Sequence, residues 1–122
     1  MRTWLMSFPF KQPVAVTILS IIPSLTLLDP SLLATFEGWT EQRKRHAEQI
    51  VNDMAQTLAS PQFTVSTEVH HGDPITIVCE AGTHHDLIMI GSHGLEGIVR
   101  FLLGSVSHGI VHQAGCSVLV IR

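Results

Sequence analysis

Along the chain the apolar positions change period several times, and each change marks an element. Val14–Ile22 is β-branched and apolar almost throughout, without polar alternation. Such a run suits a strand covered on both faces, as in a parallel sheet. From Glu41 to Leu58 the period becomes helical. Ala47, Ile50, Val51, Met54 and Leu58 fall on one stripe with charges opposite, and the stripe predicts a core-facing helix. Thr40 stands where an N-cap belongs, and Ser60-Pro61 ends the helix, because proline disfavours α geometry in the residue before it. Phe63–Val69 alternates as a half-covered strand does. Asp73-Pro74 predicts a second helix start, with Ile75, Val78 and Cys79 facing inward and Gly82 as the C-cap. Leu87–Ile90 reads as a short buried strand, Gly104–Ala114 brackets a helix, and Ser117–Ile121 reads as the last strand. Pro23–Gly38 is Leu-rich but has no assignable period. Strands and helices alternate, which predicts an α/β fold: a parallel sheet with helices on both faces and right-handed crossovers.

Composition narrows the function classes. At 122 residues the chain is expected to form a single domain, residues 1–122, with a real core. The formal net charge is −3 and the basic residues are scattered, so neither nucleic acid nor an anionic membrane surface is indicated. The one basic cluster, Arg43-Lys44-Arg45, reads as the solvated face of the first long helix. Met1–Leu28 is apolar, but Lys11, Gln12 and Pro13 interrupt it, and Pro23, Asp29 and Pro30 break the later apolar stretch. A signal peptide or spanning helix is therefore not expected. Cys79 and Cys116 sit in apolar surroundings, which suits a reduced, cytoplasmic chain.

The chemistry concentrates after the Leu87–Ile90 strand. There the sequence runs Gly91-Ser92-His93-Gly94, then nine residues, then Gly104-Ser105-Val106-Ser107 at a helix start. Glycines allow close approach of backbone to a ligand and tolerate φ > 0. The free N–H groups of a helix N-terminus, aided by the helix dipole, receive an anion. The hydroxyls of Ser105 and Ser107 are possible further donors. Phosphate is the ligand this arrangement suits.

The same residues carry a family resemblance. Gly-x-x-Gly-x9-Gly-Ser between two strands, followed by Ala114-Gly115-Cys116 and Ser117–Arg122, resembles the nucleotide-binding signature and closing strand of the universal stress proteins. The resemblance covers roughly residues 13 to 122 and is strongest from Gly72 onward. Many members have prolines flanking the cysteine, where this chain has Gly115 and Ser117. The resemblance implies an adenine nucleotide alpha hydrolase-like fold and binding of ATP, with Mg²⁺, in a stress-related regulatory module. It implies a nucleotide site at Ile21, Ile90, Gly91, His93, Gly94, Gly104, Ser105, Val106 and Ser107, with Ile21 packing on the adenine. It also implies a homodimer through Ser117, Val118, Leu119, Val120 and Ile121. Universal stress proteins open with a strand, an aspartate and a helix before the strand matching Val14–Ile22. Here Trp4–Phe10 resembles only the tail of that helix, so the fold is expected to be N-terminally truncated. Val14–Ile22 and Leu87–Ile90 are then expected to close the gap by pairing directly.

Other residues offer less. His108 and His112 are spaced i, i+4 and form a workable ligand pair, but no Cys-x-x-Cys or His-Glu-x-x-His accompanies them. No nucleophile–base spacing, carboxylate pair or Walker-type lysine stands out, which favours binding over turnover. Arg100 is a loop arginine able to meet a phosphate. Two other readings stay open: a dimeric interaction module that binds no nucleotide, and a slow nucleotide hydrolase.

Overall fold

The computed structural model describes residues 2–24, 33–92 and 103–122, with the backbone alone for residues 33–36. The described chain forms two compact units, Arg2–Gly72 and Asp73–Arg122.

The first unit contains α1 (Arg2–Ser7), β1 (Val14–Ile22), α2 (Leu33–Leu58) and β2 (Phe63–His71). β1 and β2 pair in parallel, rung by rung from Val14 with Phe63 to Ile22 with His71. The alternation in β2 stops at Val69, but the ladder continues because β1 still offers Ile21 and Ile22 as partners for His70 and His71. Gly72 ends it with φ at 142°, a backbone region that side chains rarely allow, and donates its N–H to Ile22 O at 3.1 Å.

α2 starts earlier than its sequence signals indicate, so Thr40 lies inside the helix and is not its cap. Gly38 is also inside. Its helix penalty of about 1 kcal/mol relative to alanine is small against the packing of a 26-residue helix. Ala47, Val51 and Leu58 are buried as expected. Ile50 and Met54 are not: they are 48% and 37% exposed. α2 packs on β1 and β2. Two strands are only about 5 Å apart, so this ladder shields a narrower stripe than the sequence offers. At the amino-terminal end, Trp4–Phe8, Phe8–Phe10 and Phe10–Phe63 form a chain of rings with centroids 5.0, 4.7 and 5.8 Å apart. That chain ties α1 to the start of β2, and α1 is helical, as its likeness to a helix tail implied.

The second unit contains α3 (Pro74–Gly82), β3 (Leu87–Gly91), α4 (Ser105–Gln113) and β4 (Ser117–Ile121). Asp73 caps α3: its Oδ2 accepts from Thr76 N at 2.9 Å and from Thr76 Oγ1 at 2.8 Å. Gly82 is not the C-cap; Thr83 is, in right-handed geometry. Gly82 serves packing instead. A Cβ there would stand 2.6 Å from Ile88 Cδ1 and 3.3 Å from Cys116 Sγ. Gly109 does the same between helices, where a Cβ would collide with Ile75 Cδ1 and lie 3.0 Å from its Cγ1. Ile110, 1% exposed, anchors this core. β3 and β4 pair in parallel from Leu87 with Ser117 to Gly91 with Ile121.

The α/β class and the parallel pairing agree with the sequence reading. The ladders of the described residues do not include the expected direct pairing of Val14–Ile22 with Leu87–Ile90. Among the described residues β1 ladders with β2 and β3 with β4, giving two two-stranded parallel ladders. Each joins strands that are consecutive in sequence across one helix, the short-range connection that chain entropy favours.

Candidate functional site

The glycine–serine loop is anchored by three hydrogen bonds. β3 ends at Gly91, and buried Ser92 extends the ladder by donating its N–H to Ile121 O at 2.9 Å. Gly104 N–H donates to Ser92 O at 2.8 Å, which brings the start of α4 to the carboxyl end of β3. Ser107 Oγ donates to Gly91 O at 2.6 Å and fixes the first turn of α4 to the strand.

Gly104 is the N-cap, with extended backbone and no side-chain cap bond. Its carbonyl accepts the first helical bond, from His108 N at 2.9 Å. By helix geometry the N–H groups of Ser105, Val106 and Ser107 then have no intrahelical acceptor. They are donors at the positive end of the α4 dipole, beside a strand's carboxyl end.

Two expectations are corrected here. The Ser107 hydroxyl is committed to Gly91 O and is not a free donor, leaving its backbone N–H and the exposed Ser105 for a ligand. Gly91 and Gly104 do not use positive φ; among the described residues only Gly72 does. What they offer a ligand is the absence of a Cβ.

The remaining site residues divide. Ile90 lies half-buried in β3, one residue before Gly91. Ile21 lies in the other unit, in the rung facing His70, one residue before the end of β1. His93, Gly94 and Arg100 fall outside the described residues.

Four of the described histidines have local contacts. His70 Nε2 lies 2.8 Å from Glu68 Oε2, and His85 Nδ1 lies 2.8 Å from Ala81 O. The His108 and His112 rings stand 4.4 Å apart, centroid to centroid, with no third ligand converging among the described residues.

Sequence reasoning missed a cleft in the first unit. At the carboxyl ends of β1 and β2 a cavity of about 170 Å³ is lined by Ile22, Ser24, Trp39, Thr40, Arg43 and His71, among others. Arg43 is half-buried and not on a wholly solvated face. Its guanidinium carbon lies 4.6 Å from the centre of the Trp39 ring, a cation–π contact. The signal in the sequence is the i, i+4 spacing of Trp39 and Arg43, which becomes meaningful only because α2 extends back beyond Glu41.

The model of the Universal stress protein family matches residues 10–122. The chain belongs to the universal stress protein family. A Staphylococcus aureus (strain USA300) protein named as a universal stress protein is 35% identical over 117 residues, covering 92% of this chain and 69% of that protein. The counterpart in Staphylococcus aureus strain N315 matches to the same extent. Among solved structures, universal stress protein UspA from Lactobacillus plantarum superposes with a TM-score of 0.78 at 25% identity, over 88% of this chain and 77% of that one. Hypothetical protein MJ0577, whose biochemical function was assigned from its structure, gives a TM-score of 0.74 at 22% identity, over 98% and 83%. This second likeness bears on the fold alone. No helix among the described residues is long and apolar enough to cross a membrane.

Proposed function

We propose that this universal stress protein binds an adenine nucleotide, ATP with Mg²⁺, as a cytoplasmic stress-response module that pairs as a homodimer through β4. One feature carries the reading: the N–H donors of Ser105, Val106 and Ser107, without intrahelical acceptors, at a helix start held to the carboxyl end of β3 by the Gly104–Ser92 and Ser107–Gly91 bonds. Ligands of open α/β sheets sit beyond the carboxyl ends of the strands, which is where these donors are. Gly91, Gly94 and Gly104 would let phosphate oxygens reach backbone, His93 would add a donor, and Ile90 would supply apolar surface for the base. Among the described residues no three metal-ligating side chains converge. Mg²⁺ would therefore arrive on the nucleotide, held by phosphate oxygens and water. When bound, it would neutralise phosphate charge. The protein's part is to present backbone donors to the phosphates.

The test is calorimetric titration of the chain with Mg·ATP and Mg·ADP, repeated on Gly104→Val. The substitution puts a β-branched side chain where phosphate must approach. The reading expects saturable binding by the unmodified chain and at least a tenfold weaker Kd in the variant, with the far-UV dichroism unchanged. Equal affinity in the folded variant would overturn the phosphate assignment. Absence of binding by the unmodified chain would leave the dimeric interaction module as the better reading.

A further inference from the structure

Cys79 and Cys116 are the chain's two cysteines, and neither takes part in the glycine–serine loop. Both are free and half-buried. Cys79 lies on α3, three residues before Gly82. Residues three apart on a helix share a face, with Cβ positions about 5–6 Å apart. Cys116 lies just before β4, and its Sγ stands 3.3 Å from where a Gly82 Cβ would be. The missing side chain at Gly82 makes room for this sulfur on the α3 face that carries Cys79. Partial burial, and then the charge of a Cys116 thiolate, push the Cys79 thiol up. That coupling is what two neighbouring thiols show.

We propose that Cys79 and Cys116 form an oxidative modification site: hydrogen peroxide converts them to an intramolecular disulfide that staples α3 to the start of β4. Cys116, next to the Gly115 turn, reacts first. Space around neighbouring Gly115 is open, with nothing within 4 Å of a Cβ built there. The Cys116 sulfur attacks one peroxide oxygen, the O–O bond breaks, and the departing hydroxide takes the thiol proton as water. Cys116 is then a sulfenic acid. The Cys79 sulfur attacks it, the S–S bond forms, the S–OH bond breaks, and hydroxide leaves with the Cys79 proton as a second water. Two thiols are oxidised and one peroxide is reduced to two waters. A bridge needs the two Cα atoms within about 4.4–6.8 Å, so α3 and the Gly115 turn must bring Cys79 and Cys116 to that separation on closure.

The experiment uses the full chain, with and without excess hydrogen peroxide, followed by thiol titration under denaturing conditions and intact-mass measurement. Titratable thiols should fall from two to none, with the loss of about 2 Da in a single chain, reversed by dithiothreitol. Digestion should recover the Cys79 and Cys116 peptides linked. The oxidised chain should melt several degrees higher than the reduced one. In Cys79→Ser, Cys116 should instead trap a sulfenic-acid reagent such as dimedone. Retention of both thiols, addition of oxygen to each without linkage, or a disulfide between two chains would each overturn the proposal. The decisive measurement is on the unmodified chain, so a variant that fails to fold does not decide it.

Discussion

The Ser107 hydroxyl donates at 2.6 Å to Gly91 O, and the residue is 7% exposed, so the bond is largely shielded from water. Ser107→Ala removes the donor and one oxygen atom, so cavity creation is negligible. A carbonyl stripped of this partner and shielded from water costs about 1–3 kcal/mol. Alanine's better helix propensity returns about 0.5 kcal/mol. The net expectation is a loss of about 0.5–2.5 kcal/mol. With a urea m-value of about 2 kcal/mol/M, that moves the unfolding midpoint down by roughly 0.3–1.3 M. Urea titration followed by circular dichroism at unchanged m is the assay. A midpoint within error of the unmodified chain would show that the bond contributes nothing and that the first turn of α4 is held by other contacts. The anchoring account of the site would then fail. If the hydroxyl were a phosphate donor instead, the variant would lose nucleotide affinity while keeping its stability, the reverse of the expected pattern.

Gly109→Ala should destabilise by about 1 kcal/mol, because overpacking against Ile75 (about 1–3 kcal/mol) outweighs the helix gain of about 1 kcal/mol. Adding Ile75→Val, which deletes the colliding Cδ1, should recover that loss non-additively in a double-mutant cycle, and simple additivity would show the contact to be slack. Thr76 holds the Asp73 carboxyl below its ordinary 3.8, through its backbone N–H first and its hydroxyl second. A depressed folded pKa contributes stability that is fully present above the unfolded value and is lost as pH falls through the folded pKa. Asp73→Asn should therefore flatten the acid limb of the stability curve below about pH 4, and an unchanged limb would rule out Asp73 as a contributor. Light scattering of the unmodified chain at high micromolar concentration should give a dimer, with Leu119→Lys a monomer; a monomeric parent would refute β4 pairing.

The sequence was legible wherever one local rule sufficed. Asp73-Pro74 announced α3 because capping is a contact within one turn, and Gly104-Ser105 announced α4 for the same reason. The apolar runs marked β1, β3 and β4, and the loop between the last two strands carried the family. The illegible features were those that depend on distant neighbours. Ile50 and Met54 share the apolar stripe of α2, yet lie beyond what a two-stranded ladder can cover. Gly82 looked like a helix stop, but it is a gap left for Ile88 and Cys116. The Ser107 hydroxyl looked like a ligand donor until the strand end came within reach of it. The sequence by itself determined which segments become helix or strand and where backbone donors are left open, because those depend on residues a few positions apart. Only the tertiary structure decided which strand pairs with which, which apolar faces are covered and which polar groups are already satisfied, because each is fixed by residues far along the chain that folding brings within a few ångströms.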